Sequence, residues 1–383
     1  MIVGINASRA RSGGAVSHLV GIITEIDWIE NSDLEIHIWT HKGLSKKLPS
    51  HPFIKLHISE AFEQSIVKQI IWEKFILPRE LKKYKCDILL NIDAGSVARY
   101  SKMVTMSRDM LSYEPGEMDR FRFSVEKIRL ILLKYIQNSS LRASNGVVFL
   151  THYAGKVIQE SCGKLRNVIY IPHGVGKEFL LAKKADHFNL LLKKTVDILY
   201  VSNIAPYKHQ WNVVRGIANL RSKGFDVRLT LTGGGHVDSL TGSQRKLDEA
   251  LEECDPNRKF VKILGYVSQS DLPQILCSAD IFVFASSCEN MPNTLIEAMS
   301  VGLPIACSNR GPMPEVLKDA GVYFNPDCPI SIANSIESYL KDELLVHNNA
   351  INANQLSRNY SWERCSRETF AFLRKVNKLK KYN

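Results

Sequence analysis

The feature that most constrains this chain is a repeated alternation of short apolar runs with longer helical patterns. The predicted strands lie at 2–6, 34–39, 88–92, 146–150 and 168–171 in the first half, and at 197–202, 227–232, 260–264, 281–284 and 303–306 in the second. Helical patterns fall between several of them, at 15–30, 209–223 and 244–254. Because the apolar runs are rich in β-branched residues and lack strict alternation, we expect strands that are covered on both faces. Alternating strand and helix predicts a parallel, doubly wound sheet, and two such sets predict two Rossmann-like α/β domains.

The domain limits are predicted from the polar stretch in the middle of the chain. A length of 383 residues favours two domains over one. Pro172-His173-Gly174 opens a lysine-rich stretch that runs to Lys194. We therefore expect a first domain at 1–172, a linker at 173–194 and a second domain at 195–355. Residues 358–383 form one helical pattern, and the expected C-terminal element at 356–383 either completes the second domain or crosses back to the first.

Composition excludes several classes of protein. No apolar run reaches the roughly 18 residues of a membrane span, and the N-terminus lacks the layout of a secretory signal. We therefore expect a cytoplasmic protein. The eight cysteines contain no Cys-x-x-Cys pair, which favours separate thiols over a disulfide frame or a zinc site.

The net charge of +11 is unevenly distributed. Residues 1–172 carry 24 Lys/Arg against 17 Asp/Glu, and residues 354–383 carry eight against two. Such basic regions fit either a partner with phosphates or a solvated face that aids solubility. The run at 120–142 interleaves cations with Phe, Ile and Leu, so it is either a surface for anionic lipid or an ordinary amphipathic helix. A stacking module for RNA is not evident, and nucleic acid is not an expected partner.

Two glycine clusters follow predicted strands at the edge where doubly wound sheets bind ligands. They are Ser12-Gly13-Gly14 and Gly233-Gly234-Gly235. Neither matches the dinucleotide pattern Gly-x-Gly-x-x-Gly or the P-loop pattern, which argues against a nicotinamide dehydrogenase or a P-loop enzyme. Each cluster is either a ligand contact or a tight turn.

The stretch "SSCENMPNTLIEAMSVGLPIAC", residues 286–307, places Glu289 and Glu297 in mostly uncharged sequence. Glu289 follows a predicted strand, and a short helix from Thr294 to Ser300 is expected to stop at Gly302. Amides at such a helix start suit phosphate or sugar oxygens, and one ligand could touch both carboxylates. The alternative is that Glu289 caps the helix while Glu297 lies on a solvated face.

Lys208 follows the first strand of the second domain, in "VSNIAPYKHQWNVV". A lone lysine usually lies at the surface, but this one precedes a helix at the expected ligand edge. There a fixed positive charge would stabilise the negative charge that develops on a diphosphate leaving group.

These residues together resemble glycosyltransferase family 4, the retaining nucleotide-sugar transferases of GT-B architecture, in which two Rossmann-like domains face each other across a cleft. The likeness covers most of the chain and is strongest from about 197 to 328. It is carried by the Glu-x7-Glu element Glu289…Glu297, by "VKILGYVSQSDLPQILCSADIFVFASS" before it, by "NVIYIPHGV" and by "YSWERCSRETF". The resemblance implies a hexosyltransferase that moves a sugar from a nucleotide-diphosphate donor to a glycan or lipid-linked acceptor, in synthesis of a cell-surface polysaccharide such as lipopolysaccharide.

The resemblance also implies residue roles. Glu289 and Lys208 would be catalytic, the first beside the reacting carbon and the second on the diphosphate. The remaining donor-binding residues would be Asn203, Gly234, Val267, Asn290, Met291, Pro292, Asn293, Thr294 and Glu297, with Glu297 on the ribose hydroxyls and the backbone near Val267 on the base. Gly13 and Gly14 would lie on the acceptor side. No metal and no cofactor is expected beyond the donor itself.

The sequence departs from the family pattern at three places. The arginine that commonly stands five residues before the lysine is replaced at Ser202-Asn203, so one diphosphate charge is missing or comes from elsewhere. Glu289 to Pro292 replaces Glu-Gly-Phe-Gly, which changes the sugar that fits. In the first domain, Arg108 and Asp109 stand where the family often has a histidine-bearing loop, and they are candidates for the acceptor side.

Two other functions fit the same pattern. A nucleotide-sugar epimerase of the same architecture would interconvert the donor without an acceptor. A non-catalytic protein that binds nucleotide or RNA in the cleft is compatible with the missing arginine. The sequence leaves open the sugar, the nucleotide, the acceptor and the oligomeric state.

Overall fold

The computed structural model describes residues 1–11, 13–59, 62, 65–121, 124–182, 190–233 and 242–379. Ser12, Gly234 and Gly235, singled out above, lie outside the described residues. Contacts divide the chain into two compact units. The first comprises Met1–Met118, Phe123–Gly174 and Ser361–Asn383, and the second comprises Asp119–Arg122 and Val175–Tyr360.

The first unit is built on a parallel sheet of seven strands within the described residues, in the order β3-β2-β1-β4-β5-β6-β7. The strands are β1 (Ile2–Asn6), β2 (Glu35–Thr40), β3 (Ile54–Ile58), β4 (Ile88–Asn91), β5 (Met103–Met106), β6 (Gly146–Phe149) and β7 (Val168–Tyr170). The sequence analysis missed β3 and β5. The first is an edge strand with exposed Lys55 and Leu56. The second is buried, but Thr105 interrupts its short apolar run, so its own sequence does not mark it as a strand.

Helices cover both faces of this sheet, as the strand–helix rhythm predicts. They are α1 (Gly14–Thr24), α2 (Lys42–Ser45), α3 (Ile66–Ile71), α4 (Leu77–Lys83), α5 (Val125–Ala143) and α6 (His152–Cys162), with a π-helical turn at Trp72–Ile76. A 3₁₀ turn at Glu117–Phe121 begins in the first unit, and its residues from Asp119 onward belong to the second. The core is formed by the buried apolar side chains of β1, β2, β4 and β5 together with those of α1 and the last helix of the chain.

The second unit contains a parallel sheet of six strands among the described residues, in the order β10-β9-β8-β11-β12-β13. The strands are β8 (Val196–Val201), β9 (Val227–Thr232), β10 (Val261–Gly265), β11 (Ile281–Phe284), β12 (Ile305–Ser308) and β13 (Val322–Phe324). The helices are α7 (Lys177–Leu181), α8 (Gln210–Ser222), α9 (Ser243–Cys254), α10 (Leu272–Ser278), α11 (Asn293–Val301), α12 (Met313–Leu317), α13 (Pro329–Lys341) and α14 (Glu343–Ser357). The sequence analysis missed β13, which has three residues and lies at the edge of the sheet.

The last helix, α15 (Trp362–Lys378), belongs to the first unit. It packs on α1, where Ser366 Oγ donates to the Ile22 carbonyl at 2.7 Å. The expectation of one helical pattern from residue 358 was wrong at its start. The side chain of Ser361 accepts a hydrogen bond from Arg364 N at 3.1 Å and so begins a new helix after α14 ends.

The strand orders locate the ligand edges. In each sheet the first strand lies between the strand that follows it and a later one, so β1 lies between β2 and β4 and β8 lies between β9 and β11. Ligands of doubly wound sheets bind beyond the carboxyl ends of the strands at such a switch point. Within the described residues, none of the helices combines the length and apolar character that crossing a bilayer would take.

Candidate functional site

Lys208 and Glu289 meet at the switch point of the second sheet. Lys208 ends a 3₁₀ turn (Pro206–Lys208) that follows β8, and Glu289 lies in the loop between β11 and α11. The Lys208 Nζ forms an ion pair with Glu289 Oε1. The two side chains are only 12% and 16% exposed, so the pair is largely shielded from solvent. The sequence placed both residues at this edge, and the structure brings their charged groups into contact.

Aromatic residues fix the position of Lys208. The hydroxyl of Tyr200, on β8, donates to the Lys208 carbonyl at 2.7 Å. The Lys208 Nζ lies 5.6 Å from the ring centroid of Phe284 and 5.3 Å from that of Tyr207. Both distances are within the range of cation–π attraction. The ammonium group is therefore held by a carboxylate and two aromatic rings, which favours one orientation.

His209 links the two loops that carry this pair, and the sequence analysis missed it. Its Nε2 lies 2.9 Å from Ser287 Oγ, and Ser287 N donates to the Tyr207 carbonyl at 2.8 Å. Burial and then Arg120 lower the pKa of His209 to about 4, although Asp327 opposes that shift. The imidazole is therefore neutral near pH 7, and its 3.6 Å approach to Asp327 is not an ion pair at that pH. Its position next to Lys208 was the only signal in the sequence.

Gly233 shows why a glycine follows β9. Its φ is 128°, and a Cβ atom there would lie 2.2 Å from the carbonyl oxygen of Ser202. Only glycine tolerates both the dihedral angle and the close approach of two backbones. Asn203, predicted to bind donor, follows Ser202 at the same edge and is exposed.

The turn from Asn290 to Pro292 is buried and leads directly into α11. Pro292 occupies the N-cap position, and no side chain caps the helix. The alternative that Glu289 caps α11 is therefore wrong. The helix ends at Gly302, whose φ is 83°, which confirms the predicted helix and its stop. Asn293 Oδ1 is buried and has no hydrogen-bond partner among the described residues, whereas Thr294 is partly exposed.

Glu297 lies on α11, and one oxygen of its carboxyl group is enclosed by protein. Gln269 Nε2, from the loop after β10 that also carries Val267, donates to its Oε1 at 3.0 Å. The residue as a whole is partly exposed, but Oε2 has no exposed surface and no partner in the described part of the chain. Burial raises the pKa of Glu297 to about 7, and the hydrogen bond from Gln269 only partly offsets it. The alternative of a solvated face is therefore wrong, and Gln269 is a neighbour that the sequence did not indicate.

Other cations lie near the carboxyl ends of β12 and β13. Arg120 Nη2 is 3.2 Å from Asp327 Oδ1, and Arg310 Nη2 is 3.9 Å from Asp327 Oδ2. Both arginines also lower the pKa of His209, so their charges act at the start of α8. Exposed Asn203 fills the position where the family commonly has an arginine. Among the described residues, Arg120, Arg310 and Lys246 are cations whose charges act on neighbouring His209.

The predicted acceptor-side residues lie in the first unit. Gly13 precedes α1 with a φ of 59°, and Gly14 is the first residue of that helix. Asp109 accepts hydrogen bonds from Gln137 Nε2 at 3.2 Å and Leu111 N at 3.1 Å, and burial raises its pKa. Arg108 is partly exposed, and burial lowers its pKa to about 10.

A polar cluster at the switch point of the first sheet was not predicted. Buried Glu73, in the π-helical turn, accepts from Arg9 at 2.8 Å and from Asn6 at 3.2 Å. With Asp93 and Ser96 these residues line a small cavity of about 20 Å³.

A larger cavity of about 910 Å³ in the second unit borders β10, but none of the predicted donor-binding residues lines it. Among the described residues no three His, Cys, Asp or Glu side chains form a cluster that could hold a metal ion.

Comparison with solved structures shows the class of fold. Sucrose-phosphate synthase from Thermosynechococcus elongatus has a TM-score of 0.75 at 14% identity, over 98% of this chain and 99% of that one. HepE from Anabaena, in complex with UDP-glucose, has a TM-score of 0.72 at 16% identity, over 98% of this chain and 100% of that one. The protein therefore has the GT-B class of fold, with two parallel-sheet α/β domains, as predicted.

Sequence comparison then shows which family the second half of the chain is similar to. Residues 182–356 match the family of glycosyl transferases group 1. This match covers a little under half of the chain and supports the predicted resemblance to glycosyltransferase family 4.

Curated relatives match over shorter stretches. The O-antigen chain mannosyltransferase B of Escherichia coli is 34% identical over 119 residues, 31% of each chain. The 2-deoxystreptamine glucosyltransferase of Streptomyces kanamyceticus is 24% identical over 195 residues, 49% of each chain. The chain thus spans between about a third and a half of the length of these relatives.

Proposed function

We propose that this protein is a retaining glycosyltransferase that moves a hexose from a nucleotide-diphosphate sugar to a glycan or lipid-linked glycan. The observation that carries the proposal is the shielded Lys208–Glu289 pair at the switch point of the second sheet. In this proposal the second unit binds the donor and the first unit binds the acceptor, with domains at 1–172 and 195–355, a linker at 173–194 and a C-terminal element at 356–383.

Lys208 would stabilise the diphosphate as it leaves. Its ammonium is held by Glu289 and aromatic rings, so little reorganisation is needed when negative charge develops on the leaving oxygen. Glu289 would lie beside the reacting carbon. The acceptor would attack from the face that the phosphate leaves, and the departing phosphate would take the proton of the acceptor hydroxyl. Configuration at the sugar carbon is then retained.

Glu297 would bind the two ribose hydroxyl groups. Its Oε2 lacks a partner among the described residues, so its lone pairs remain available to a hydroxyl donor. Gln269 already holds Oε1 at 3.0 Å and fixes the orientation of the carboxyl group. The backbone near Val267, in the same loop, would meet the base.

The segment from Asn290 to Thr294 would hold the sugar and phosphate oxygens. No side chain caps α11, so its first amides remain as donors. Buried Met291 and Pro292 would shape the sugar pocket, and Asn293 Oδ1 would accept a sugar hydroxyl. Asn203 and Gly234 would approach the diphosphate from the ends of β8 and β9.

Relatives suggest the donor and the pathway. HepE, a structural neighbour, has been solved with UDP and with UDP-glucose, which makes a UDP-sugar the first donor to test. Two relatives in sequence are the O-antigen mannosyltransferase and an amylovoran biosynthesis glycosyltransferase of Erwinia amylovora. They support a role in synthesis of a surface polysaccharide, such as the glycan of a lipopolysaccharide.

The first unit exposes apolar side chains on α5 and on α3 with the π-helical turn, which supports peripheral contact at the inner face of the cell membrane. On α5, Val125, Ile128, Leu132 and Tyr135 recur at helical spacing and are exposed, with Ile128 at 61% and Leu132 at 58%. The π-helical turn and α3 add further exposed apolar residues, namely Ile66, Val67, Ile71, Phe75 and Ile76. Exposed Lys68 and Lys74 stand among them, and cations interleaved with apolar side chains favour an anionic bilayer.

Thermal-shift titration with UDP, GDP, ADP and their common sugars tests the donor site. We expect one nucleotide to stabilise the wild type, because a ligand at about 100 times its Kd adds roughly 2.7 kcal/mol. Lys208→Ala and Glu297→Gln should respond much less. Lys156→Ala, which removes an exposed lysine of α6, is the control and should respond like wild type.

Assays with acceptor then separate the remaining functions. Conversion of the donor without any acceptor would favour the epimerase. Nucleotide binding with no turnover of any donor would favour a binding protein. Responses of both variants equal to that of wild type would refute the assignment of the donor site.

A further inference from the structure

The second unit contains a cavity of about 910 Å³ that shares no described residue with the proposed donor site. It is walled by β8, β9 and β10, by the turn at 258–260 and by the last turn of α10, and we call it the β10 cavity. Ligand cavities in proteins commonly have volumes of roughly 300–1,000 Å³. The β10 cavity therefore has room for a molecule much larger than a water or a simple ion.

The cavity lies where the sheet is incompletely covered. Helix α10, which follows β10, has seven residues and is about 10 Å long, whereas the five residues of β10 span about 17 Å. The helix cannot cover the whole strand, and three consecutive residues of β10 are exposed, namely Lys262, Ile263 and Leu264. Strands of a parallel sheet are ordinarily covered on both faces, so this exposure points to a surface that binds something.

Apolar side chains line one part of the β10 cavity. Ile263 is 50% exposed, Leu264 is exposed, and Ile275 of α10 is partly exposed. Leu229 and Val261, which are register partners on β9 and β10, are buried and also line the cavity. An apolar chain bound here would remove exposed apolar surface from water, which is favourable in proportion to the area removed.

The polar part of the lining is strongly basic. It contains four cations and one carboxylate, a surplus of three positive charges. The carboxylate, Asp197, accepts from Arg228 Nε at 2.9 Å and from Nη2 at 3.0 Å, so it is paired with that cation. The other three, Arg258, Lys259 and Lys262, are exposed, and none of them has a printed acidic partner within the described part of the chain. Their charges are therefore available to an anion.

A buried aspartate fixes the turn that carries two of these cations. The Asp255 carboxylate accepts from the backbone amides of Lys259 at 2.7 Å, Phe260 at 2.9 Å and Val261 at 2.8 Å. Burial acts to raise the pKa of Asp255, but these hydrogen bonds outweigh it and the pKa is lowered. The same turn holds Arg258 at a φ of 51°, a left-handed conformation that a residue with a Cβ rarely adopts. The backbone that presents the cations is thus held in one conformation.

The edge of β10 is poorly suited to an added strand. β10 lies at the edge of the sheet, and its register with β9 shifts between Ile263 and Gly265. An irregular register and a lysine on an edge strand, here Lys262, both discourage pairing with a further strand. We therefore expect an occupant inside the cavity rather than an extension of the sheet by a peptide.

We propose that the β10 cavity binds an anionic amphiphile, a molecule with an apolar chain that ends in a phosphate or carboxylate. The chain packs on Ile263 and Leu264, and the head group forms charge-assisted hydrogen bonds with Lys259 and Lys262. The inference does not rest on the proposed function, because it uses no residue of the donor site.

Calorimetric titration of the full chain with n-butyl, n-hexyl and n-octyl phosphate, each below its micelle concentration, tests the proposal. We expect one site per chain and an affinity that rises by up to about fourfold for each added methylene, as burial of a methylene predicts. Octanoate, compared with octyl phosphate, distinguishes a carboxylate head from a phosphate head. An affinity that does not depend on chain length would overturn the proposal, as would the absence of binding by all four compounds.

Two variants separate the head from the chain. Lys259→Gln combined with Lys262→Gln should weaken the binding of all three alkyl phosphates by at least about tenfold, because charge-assisted hydrogen bonds are lost. Ile263→Ser should instead reduce the gain in affinity from butyl to octyl phosphate, because less apolar surface is available to the chain.

Each variant has a matched control. Arg245→Gln combined with Lys156→Gln removes two exposed charges elsewhere, and Ile330→Ser removes an exposed isoleucine of α13. Both controls should bind like wild type. Equal losses in a variant and its control would show non-specific association and would overturn the proposal.

Titration in saturating UDP separates the β10 cavity from the donor site. If UDP abolishes the binding of octyl phosphate, the phosphate lies at the donor site, and the proposal fails while the proposed function stands. If UDP and its sugars do not bind wild type but the lysine-dependent binding of octyl phosphate remains, the donor assignment fails and the β10 cavity stands. If tetraglutamate binds with dependence on Lys259 and Lys262 while the amphiphiles do not, the surface recognises an acidic peptide and the proposal is overturned.

Discussion

Replacement of Glu297 by glutamine should change how stability depends on pH. The pKa of Glu297 rises from 4.5 to about 7 on folding, chiefly because the carboxyl group is buried. Each pKa unit corresponds to about 1.4 kcal/mol, so the shift corresponds to roughly 3 kcal/mol. Because the folded state holds the proton more tightly than the unfolded state, wild type should be most stable below about pH 4.5 and should lose this contribution as pH rises to about 7.

Glu297→Gln keeps the shape of the neutral side chain and cannot ionise. The variant should match wild type near pH 4.5 and exceed it by roughly 3 kcal/mol at pH 8. The measurement is urea unfolding at half-unit pH steps, compared with Glu252→Gln, which alters an exposed glutamate of α9. Curves for wild type and the Glu297 variant that stay parallel from pH 4.5 to 8 would show that the carboxyl group is not enclosed as described.

The same ionisation should govern nucleotide binding. A ribose diol donates two hydrogen bonds, which an ionised carboxylate accepts better than a neutral acid. The affinity of wild type for its nucleotide should therefore rise with pH through about 7. The Glu297→Gln protein should bind more weakly and without this dependence. Equal pH profiles for the two proteins would exclude a direct role for Glu297 in binding.

Three further predictions follow from the described contacts. Lys208→Met should lower kcat by roughly 100-fold to 1,000-fold in a steady-state assay with acceptor, because a preorganised charge at the leaving group is lost; a kcat within a factor of two of wild type would refute that role. Gly233→Ala should lower the free energy of unfolding by about 2 kcal/mol or more in urea melts, because its Cβ would lie 2.2 Å from a backbone carbonyl oxygen at a φ of 128°; an unchanged melt would contradict the close approach. The double substitution Ile128→Ser and Leu132→Ser should reduce flotation with anionic liposomes, whereas Ile330→Ser, which alters an exposed isoleucine of α13, should not; equal recovery of wild type with neutral and anionic vesicles would argue against a charge-driven surface contact.

Local sequence determined much of the fold. Strand–helix alternation and β-branched content depend on nearest neighbours along the chain, so two parallel α/β sheets were predictable. So was a short helix, placed at Thr294 to Ser300, that stops at Gly302. The same reasoning placed Lys208 and Glu289 at the carboxyl edge, because a parallel sheet puts the ends of its strands on one side. The strands β3, β5 and β13 were missed, since their pairing depends on neighbouring strands rather than on their own pattern.

Tertiary structure decided the chemistry of individual side chains. Local sequence left Glu297 either on a solvated face or in the crevice, and only packing against the loop that carries Gln269 enclosed it and raised its pKa. His209 and Ser287 are 78 positions apart and join two loops through a bond of 2.9 Å. The sequence indicated Arg108 only by its place in the chain, whereas the edge-to-face contact of His18 with His173 exists only because α1 and the segment after β7 come together. Sequence thus determined which residues reach the ligand edges, and burial, which is a property of the folded surroundings, decided their charge and their available hydrogen bonds.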